Sequence, residues 1–170
     1  MTIHPILIAP DPRLKIKSKP VKEVDDDIRQ LMDDMLETMH SAHGIGLAAP
    51  QINIHKRIIV VDIVDENNLS QPICMANPEI IEVSDEDFSH DEGCLSLPEH
   101  YSEVTRPSSV RVRYLDKTNK VCELDASGIL AVCVQHEIDH LDGILFVDHI
   151  SSLKRNMILR KLVKLKNRNL

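Results

Sequence analysis

The segment HEIDH at His136 to His140 constrains this chain more than any other stretch. On a helix, positions i and i+4 share one face, so the imidazoles of His136 and His140 converge on one ion while Glu137 stands beside it. Ile129 to Val134 are apolar almost all round and lead straight into QHEIDH. This pattern predicts a buried helix that turns polar in its C-terminal half and ends at Gly143 and the following ILFV.

Two histidines leave a catalytic site short of its usual three protein ligands. In the H-E-x-x-H-x-x-G-x-x-H peptidase pattern Gly143 matches the glycine, but the last histidine position holds Phe146 and His149 comes too late. No Glu follows Glu137, although Asp148 remains conceivable as a ligand. Cys133 shares the helical face, but with His140 it would span about 10.5 Å along the axis, too far for one ion to reach all three. The third ligand is therefore expected from elsewhere in the fold. Cys94, in EGCLSLP, is one candidate, although a buried free thiol is the commoner fate of a single cysteine.

The rest of the chain has to surround that helix. Ile28, Leu31, Met32, Met35, Leu36 and Met39 recur at helical spacing after the acids Asp25 to Asp27, which suit the dipole of a first turn, and Gly44 closes this helix. Arg57 to Val64, Ile73 to Val83 and Ser109 to Asp116 are rich in β-branched residues, and Asp116 to Lys120 reads as a hairpin turn into Val121 to Leu124. Asp85 to Asp91 reads as an exposed acidic loop. No repeat or linker divides the 170 residues, which suit one compact domain. The expected class is α+β: a single domain spanning 1–170, with mixed, mostly antiparallel sheets around a central metal-binding helix and a C-terminal helix.

Composition excludes several function classes. There is no Trp and only 2% of residues are aromatic, so stacking platforms for single-stranded nucleic acid are not apparent, and no DNA partner is expected. The first residues lack a signal-peptide pattern, and no apolar run is long enough to span a bilayer, so no membrane partner is expected either. Four irregularly spaced cysteines do not form a disulfide framework and fit a reducing, cytoplasmic compartment. The net charge of −7 hides an asymmetry, because residues 151–170 hold seven Lys or Arg and no acid. If helical, that tail carries Lys154, Arg160, Lys161, Lys164 and Arg168 on one arc and Ile158, Leu159, Leu162, Val163 and Leu165 on the other. A docked solubilising helix and a partner-binding one are both open readings of this basic amphipathic segment.

Three segments taken together, GIGLAAPQ at Gly44 to Gln51, EGCLSLP at Glu92 to Pro98 and QHEIDHLDG at Gln135 to Gly143, resemble the signature motifs of peptide deformylases in order and spacing. The likeness runs from HPILIAPDPRL to about residue 150. It implies a metal-dependent hydrolase that removes the formyl group from the N-terminal formylmethionine of newly made proteins and releases formate. The implied metal ligands are Cys94, His136 and His140. Glu137 would handle the protons, while the Gln51 side-chain amide and the Leu95 backbone N–H would donate to the developing oxyanion. The resemblance places a methionine pocket at Ile129, Val132, Cys133 and Ile45, with the peptide backbone pairing near Gly46. It implies one divalent ion per chain, Fe²⁺ in the cell with Zn²⁺, Ni²⁺ or Co²⁺ as substitutes, whereas the ligand set taken alone suits Zn²⁺. It also suggests docking of the basic C-terminal helix on the ribosome.

Read alone, GIGLAA nearly satisfies a dinucleotide-binding fingerprint, but that turn needs a strand before it and a helix after it. Here a helix precedes the glycines and Pro50 interrupts the segment after them. Tyr101, His100 and Arg106 are expected near the cleft mouth, with Arg106 paired to Glu92 so as to brace the Cys94 loop. The rival readings are a zinc endopeptidase, which would need the missing downstream ligand, and a structural Cys-His-His site, which would normally close with a fourth.

Overall fold

The computed structural model describes residues 2–168, so Met1 and the last two positions of the expected 151–170 helix lie outside the described residues. The first helix, α1 (Asp26–Ser41), starts at Asp25, whose carboxylate accepts from the Ile28 N–H, with Asp26 and Asp27 in its first turn. Its apolar stripe buries Ile28, Met32, Met35 and Met39. Each such side chain contributes about 1.5–3 kcal/mol when fully buried, so packing rather than intrinsic propensity holds the helix.

Strands β1 (Gly46–Ala48), β2 (Ile58–Asp62), β3 (Pro72–Val83), β6 (Ser109–Leu115) and β7 (Val121–Ser127) form an antiparallel sheet in the order β1-β2-β3-β6-β7. The fully buried β2 divides the core. Ile58 and Val60 point to the α1 side, while Ile59 and Val61 point to the side covered by α2 (Gly128–Leu141). Strand β1 is an edge of this sheet, and a 3-10 turn at Ala49–Ile52 containing Pro50 stops it after three residues.

Strands β4 (Asp87–Cys94) and β5 (Leu97–Pro107) form a separate antiparallel hairpin. A third cluster, with Leu14, Leu97, Val104, Phe146, Val147 and Leu162, joins this hairpin to the 3-10 turn Phe146–His149 and to α3 (Ser152–Arg168). The chain is therefore a single α+β domain in which α2 lies between a sheet and a hairpin.

Two expectations need correction. Asp87 to Asp91 are exposed or half-exposed as expected, but they are paired in β4 and are not a loop. The C-terminal half of α2 turns polar as expected and stays inside the fold, with Gln135, His136, Glu137, His140 and Leu141 all buried. On α3 the apolar arc docks only through Ile158, Leu159 and Leu162, whereas Val163 and Leu165 are exposed.

Candidate metal centre

Three chain segments meet at the buried C-terminal half of α2. His136 and His140 come from adjacent turns of the helix, Cys94 from the end of β4, and Gln51 from the 3-10 turn after β1. The Cys94 Sγ and one ring nitrogen from each of His136 and His140 lie within 4.8 Å of one another. His140 Nε2 is 3.3 Å from Cys94 Sγ, and His136 Nδ1 is 2.9 Å from Glu92 Oε1, which leaves His136 Nε2 as the free nitrogen. A thiolate and two imidazoles at this separation fit a borderline-soft divalent ion with an open position. Beside them, Glu137 Oε1 is buried without a protein partner among the described residues. The donor set and this orphaned oxygen fit a metal and a reactant at the same place.

The electrostatics follow from burial. Removal from water pushes the Glu137 carboxyl up to about 7, against the pull of His136, so this acid can take and return a proton near neutrality. Burial also pushes His140 well below the usual histidine range, aided by the charges of His136 and Arg106, and keeps its ring neutral as a metal ligand requires. Burial alone would raise Glu92, but hydrogen bonds from His136 and Arg106 outweigh it and hold the carboxyl at about 2. Arg106 reaches Glu92 through Nε at 2.6 Å and Nη2 at 2.9 Å, a bidentate pair. Its Nη1 donates to Asp139 at 2.9 Å, and His149 Nε2 donates to the same Asp139 oxygen at 2.8 Å.

A cleft of about 520 Å³ opens above these residues. Ile45, Gly46, Ile129, Val132 and Cys133 all line it, together with Gln51, Cys94, Leu95, His136 and Glu137. Half-exposed Ile45 and Ile129 form its open wall, while Val132 and Cys133 are buried at its base. A Cβ on Gly46 would sit 2.5 Å from Glu137 Oε2 and 2.7 Å from Cys133 Sγ, so the bare backbone there is a packing requirement. The Gln51 side chain is fixed at both ends: Oε1 accepts from the Ala48 N–H at 2.9 Å, and Nε2 donates to Ser96 Oγ at 3.0 Å while lying 3.5 Å from Cys94 Sγ.

Of the three residues expected near the mouth, Tyr101 lines the cleft and stands 69% exposed. His100 does not line it, and Arg106 is buried beneath Glu92 because its three donors serve two acids inside the fold. The expected Arg106–Glu92 pair is present. Sequence reasoning missed the contact from Glu92 to His136, the role of Asp139 as the next acceptor, and the presence of His43 and His90 in the cleft wall. The position of Glu92 two residues before Cys94 was the available signal, whereas nothing local links Asp139 to Arg106 or His149.

A family model described as polypeptide deformylase matches residues 3–156. A peptide deformylase from Cellvibrio japonicus is 56% identical over 165 residues, covering 96% of this chain and 96% of that protein. The crystal structure of the peptide deformylase from Ehrlichia chaffeensis superposes with a TM-score of 0.95 at 40% identity over 99% of both chains. The structure titled as the Ehrlichia chaffeensis enzyme in complex with actinonin gives 0.93 at 43% identity, again over 99% of both chains.

Proposed function

The chain belongs to the polypeptide deformylase family, and on that premise we propose how its own residues perform the family's reaction, the metal-dependent removal of the N-formyl group from nascent peptides. The observation that carries the assignment is the convergence of Cys94, His136 and His140 beside buried Glu137 in an open cleft. Cys94, His136 and His140 hold one divalent ion. When bound, the ion supplies Lewis-acid polarisation of the formyl carbonyl and acidifies a water.

Glu137 takes the proton of the attacking water and returns it to the departing amine nitrogen as the C–N bond breaks. Its Oε1 is buried with no protein partner among the described residues, which leaves that oxygen open to the water. Gln51 Nε2 and the Leu95 backbone N–H donate to the oxygen on which charge develops. The amide of Gln51 is held by Ala48 and Ser96, so it costs little reorganisation at the moment of reaction. Ile45, Ile129, Val132 and Cys133 receive the methionine side chain and exclude water from it. Gly46, on the open edge of β1, pairs with the peptide backbone.

Fe²⁺ is the resident ion in the cell, a choice that rests on family likeness, while the ligand chemistry alone equally suits Zn²⁺. The substrates are formylmethionyl chains leaving the ribosome, which makes the cytoplasm the working compartment. Among the described residues no helix is long and apolar enough to cross a membrane. The exposed basic face of α3 docks on ribosomal RNA, supported by its run of Lys and Arg opposite a short docked stripe. Residues 1–170 act as one catalytic unit that carries this helix as its basic appendage.

Formate release from an N-formyl-Met tripeptide, run beside cleavage of its unformylated counterpart, tests the reading. Metal-dependent formate production with no internal cleavage is expected. Cleavage of the unformylated peptide without formate would instead establish an endopeptidase.

A further inference from the structure

The cleft wall from Ala42 to Gly46 connects α1 to the edge strand β1, and it is irregular backbone: His43 sits at φ 59°, in the left-handed region. Such a segment needs anchors to keep Ile45 and Gly46 in one position, because a non-glycine residue in that region is strained. Both ends of the segment are tied to one residue, Asp62, at the far end of β2 and outside the cleft. Upstream, His40 Nε2 donates to Asp62 Oδ2 at 2.7 Å. Downstream, the Asp62 backbone N–H donates to the Ile45 carbonyl at 2.9 Å.

Asp62 is itself over-determined. Its side chain is only 3% exposed, and it accepts from Ser70 Oγ at 2.5 Å on Oδ2 and from the Gln71 N–H at 3.0 Å on Oδ1. A carboxylate is the one side chain of this size that accepts on both oxygens without presenting a donor. Asparagine would turn an NH₂ group toward one set of donors. The acid therefore fixes the last turn of α1 and the return of the 63–71 loop, while the backbone N–H of the same residue holds the Ile45 carbonyl ahead of β1.

We infer that Asp62, acting through His40 and Ile45, is a positioning residue for the peptide backbone of the substrate. It holds the Ile45–Gly46 edge against which the chain after the formylmethionine lies. This inference rests on the deformylase reading of the cleft. The clamp lies apart from Cys94, His136 and His140, so it should govern peptide engagement and not metal retention or the chemical step.

The test compares His40→Ala, His40→Gln and Asp62→Asn with the unaltered holoenzyme on an N-formyl-Met tripeptide, with bound metal and thermal midpoint measured for each. Loss of one charge-assisted hydrogen bond should raise KM by about tenfold in His40→Ala and Asp62→Asn. The kcat should stay within about twofold and metal content should not change. His40→Gln retains a donor and should recover most of the lost KM. Unchanged KM in His40→Ala would overturn the inference, as would a parallel fall in kcat and metal content, which marks general destabilisation. His40 is half-exposed, so its variants serve even if Asp62→Asn does not fold. Absence of formate release by the unaltered metal-loaded chain would overturn the deformylase reading itself, and the inference with it.

Discussion

Glu92 Oε1 lies 2.9 Å from Nδ1 of His136, so this carboxylate determines which ring nitrogen of that histidine carries its proton. A carboxylate accepts only, which makes Nδ1 the donor and leaves Nε2 with its lone pair toward Cys94 and His140. The bidentate contact from Arg106 keeps the acid ionised inside the fold. Glu92→Gln should therefore weaken Co²⁺ or Ni²⁺ affinity by about 10–100-fold, the range for outer-shell carboxylates, measured by chelator competition. Arg106→Ala strands two acids and should lower stability to urea by about 3–5 kcal/mol. A Glu92/Arg106 double-mutant cycle should show strong coupling between the two.

Glu137→Gln keeps the shape of the side chain but removes its capacity to accept a proton. The variant should bind metal as the unaltered chain does and lose at least about a hundredfold in kcat, in line with general acid–base contributions. Formate release measured alongside metal content decides it. Retained turnover would remove Glu137 from the proton-transfer role.

Gly46→Ala adds one carbon where Glu137 Oε2 and Cys133 Sγ already stand. Relief requires moving either the strand edge or the carboxylate, and misplacing the carboxylate by roughly an ångström is worth about a hundredfold in rate. We expect kcat to fall and stability to drop by about 1–3 kcal/mol from overpacking, read from steady-state kinetics and thermal melts. A change confined to KM would show that the strand edge yields and Glu137 does not.

Asp62 contributes stability with a defined pH dependence. Burial pushes its carboxyl up, but donation from Ser70, His40 and Gln71 outweighs this and holds it below the usual carboxylate value of 3.8. A depressed folded-state pKa means that the folded state holds the proton less tightly than the unfolded one. The associated stability is present above the unfolded value and is lost as pH falls through the lowered folded value. The gap in urea midpoint between the unaltered chain and Asp62→Asn should be full at pH 6–7 and shrink below about pH 4. A gap independent of pH over that range would contradict the ionised clamp.

Lys161 and Lys164 are exposed on α3, away from the buried Leu162. Replacing both with Glu should reduce ribosome co-sedimentation, and residual binding should fall with added salt, while tripeptide deformylation is unchanged. Equal sedimentation of both proteins would reject docking through this face.

Helices α1 and α2 and the β6–β7 hairpin were legible because their signals are local: the apolar period of Ile28 to Met39, the HEIDH spacing, and the Asp116 to Lys120 turn. Strand β4 was not. Most of its residues from Asp87 to Asp91 are exposed, so no alternation between core and solvent marks them as paired. The partners of the polar half of α2 were not legible because they are remote in sequence: Glu92 and Cys94 reach it from β4, and Arg106 from β5. The same distance hid the ligand set. Spacing identified two histidines, and only likeness to a family singled out Cys94. Arg106 was expected near the cleft mouth and paired with Glu92; the pair forms, but Asp139, remote in sequence, also takes one of its donors and helps draw the arginine inside.

The unequal rims of the five-stranded sheet have a consequence for what the molecule can recruit. On β7 the outer rim carries Glu123 and Asp125, each neutralised by an arginine of β6, a surface poorly suited to adding another strand. The rim at β1 offers only Gly46 to Ala48 before Pro50 ends it. Three residues provide too few rungs to template a foreign sheet, so fibrillar self-association gains no foothold there. On the proposed function, a loose polypeptide terminus needs only those few rungs, its affinity coming mainly from the side chain it buries. If a peptide pairs with Gly46 as proposed, the brevity of β1 would admit an extended chain end and offer little to the edge of a folded sheet.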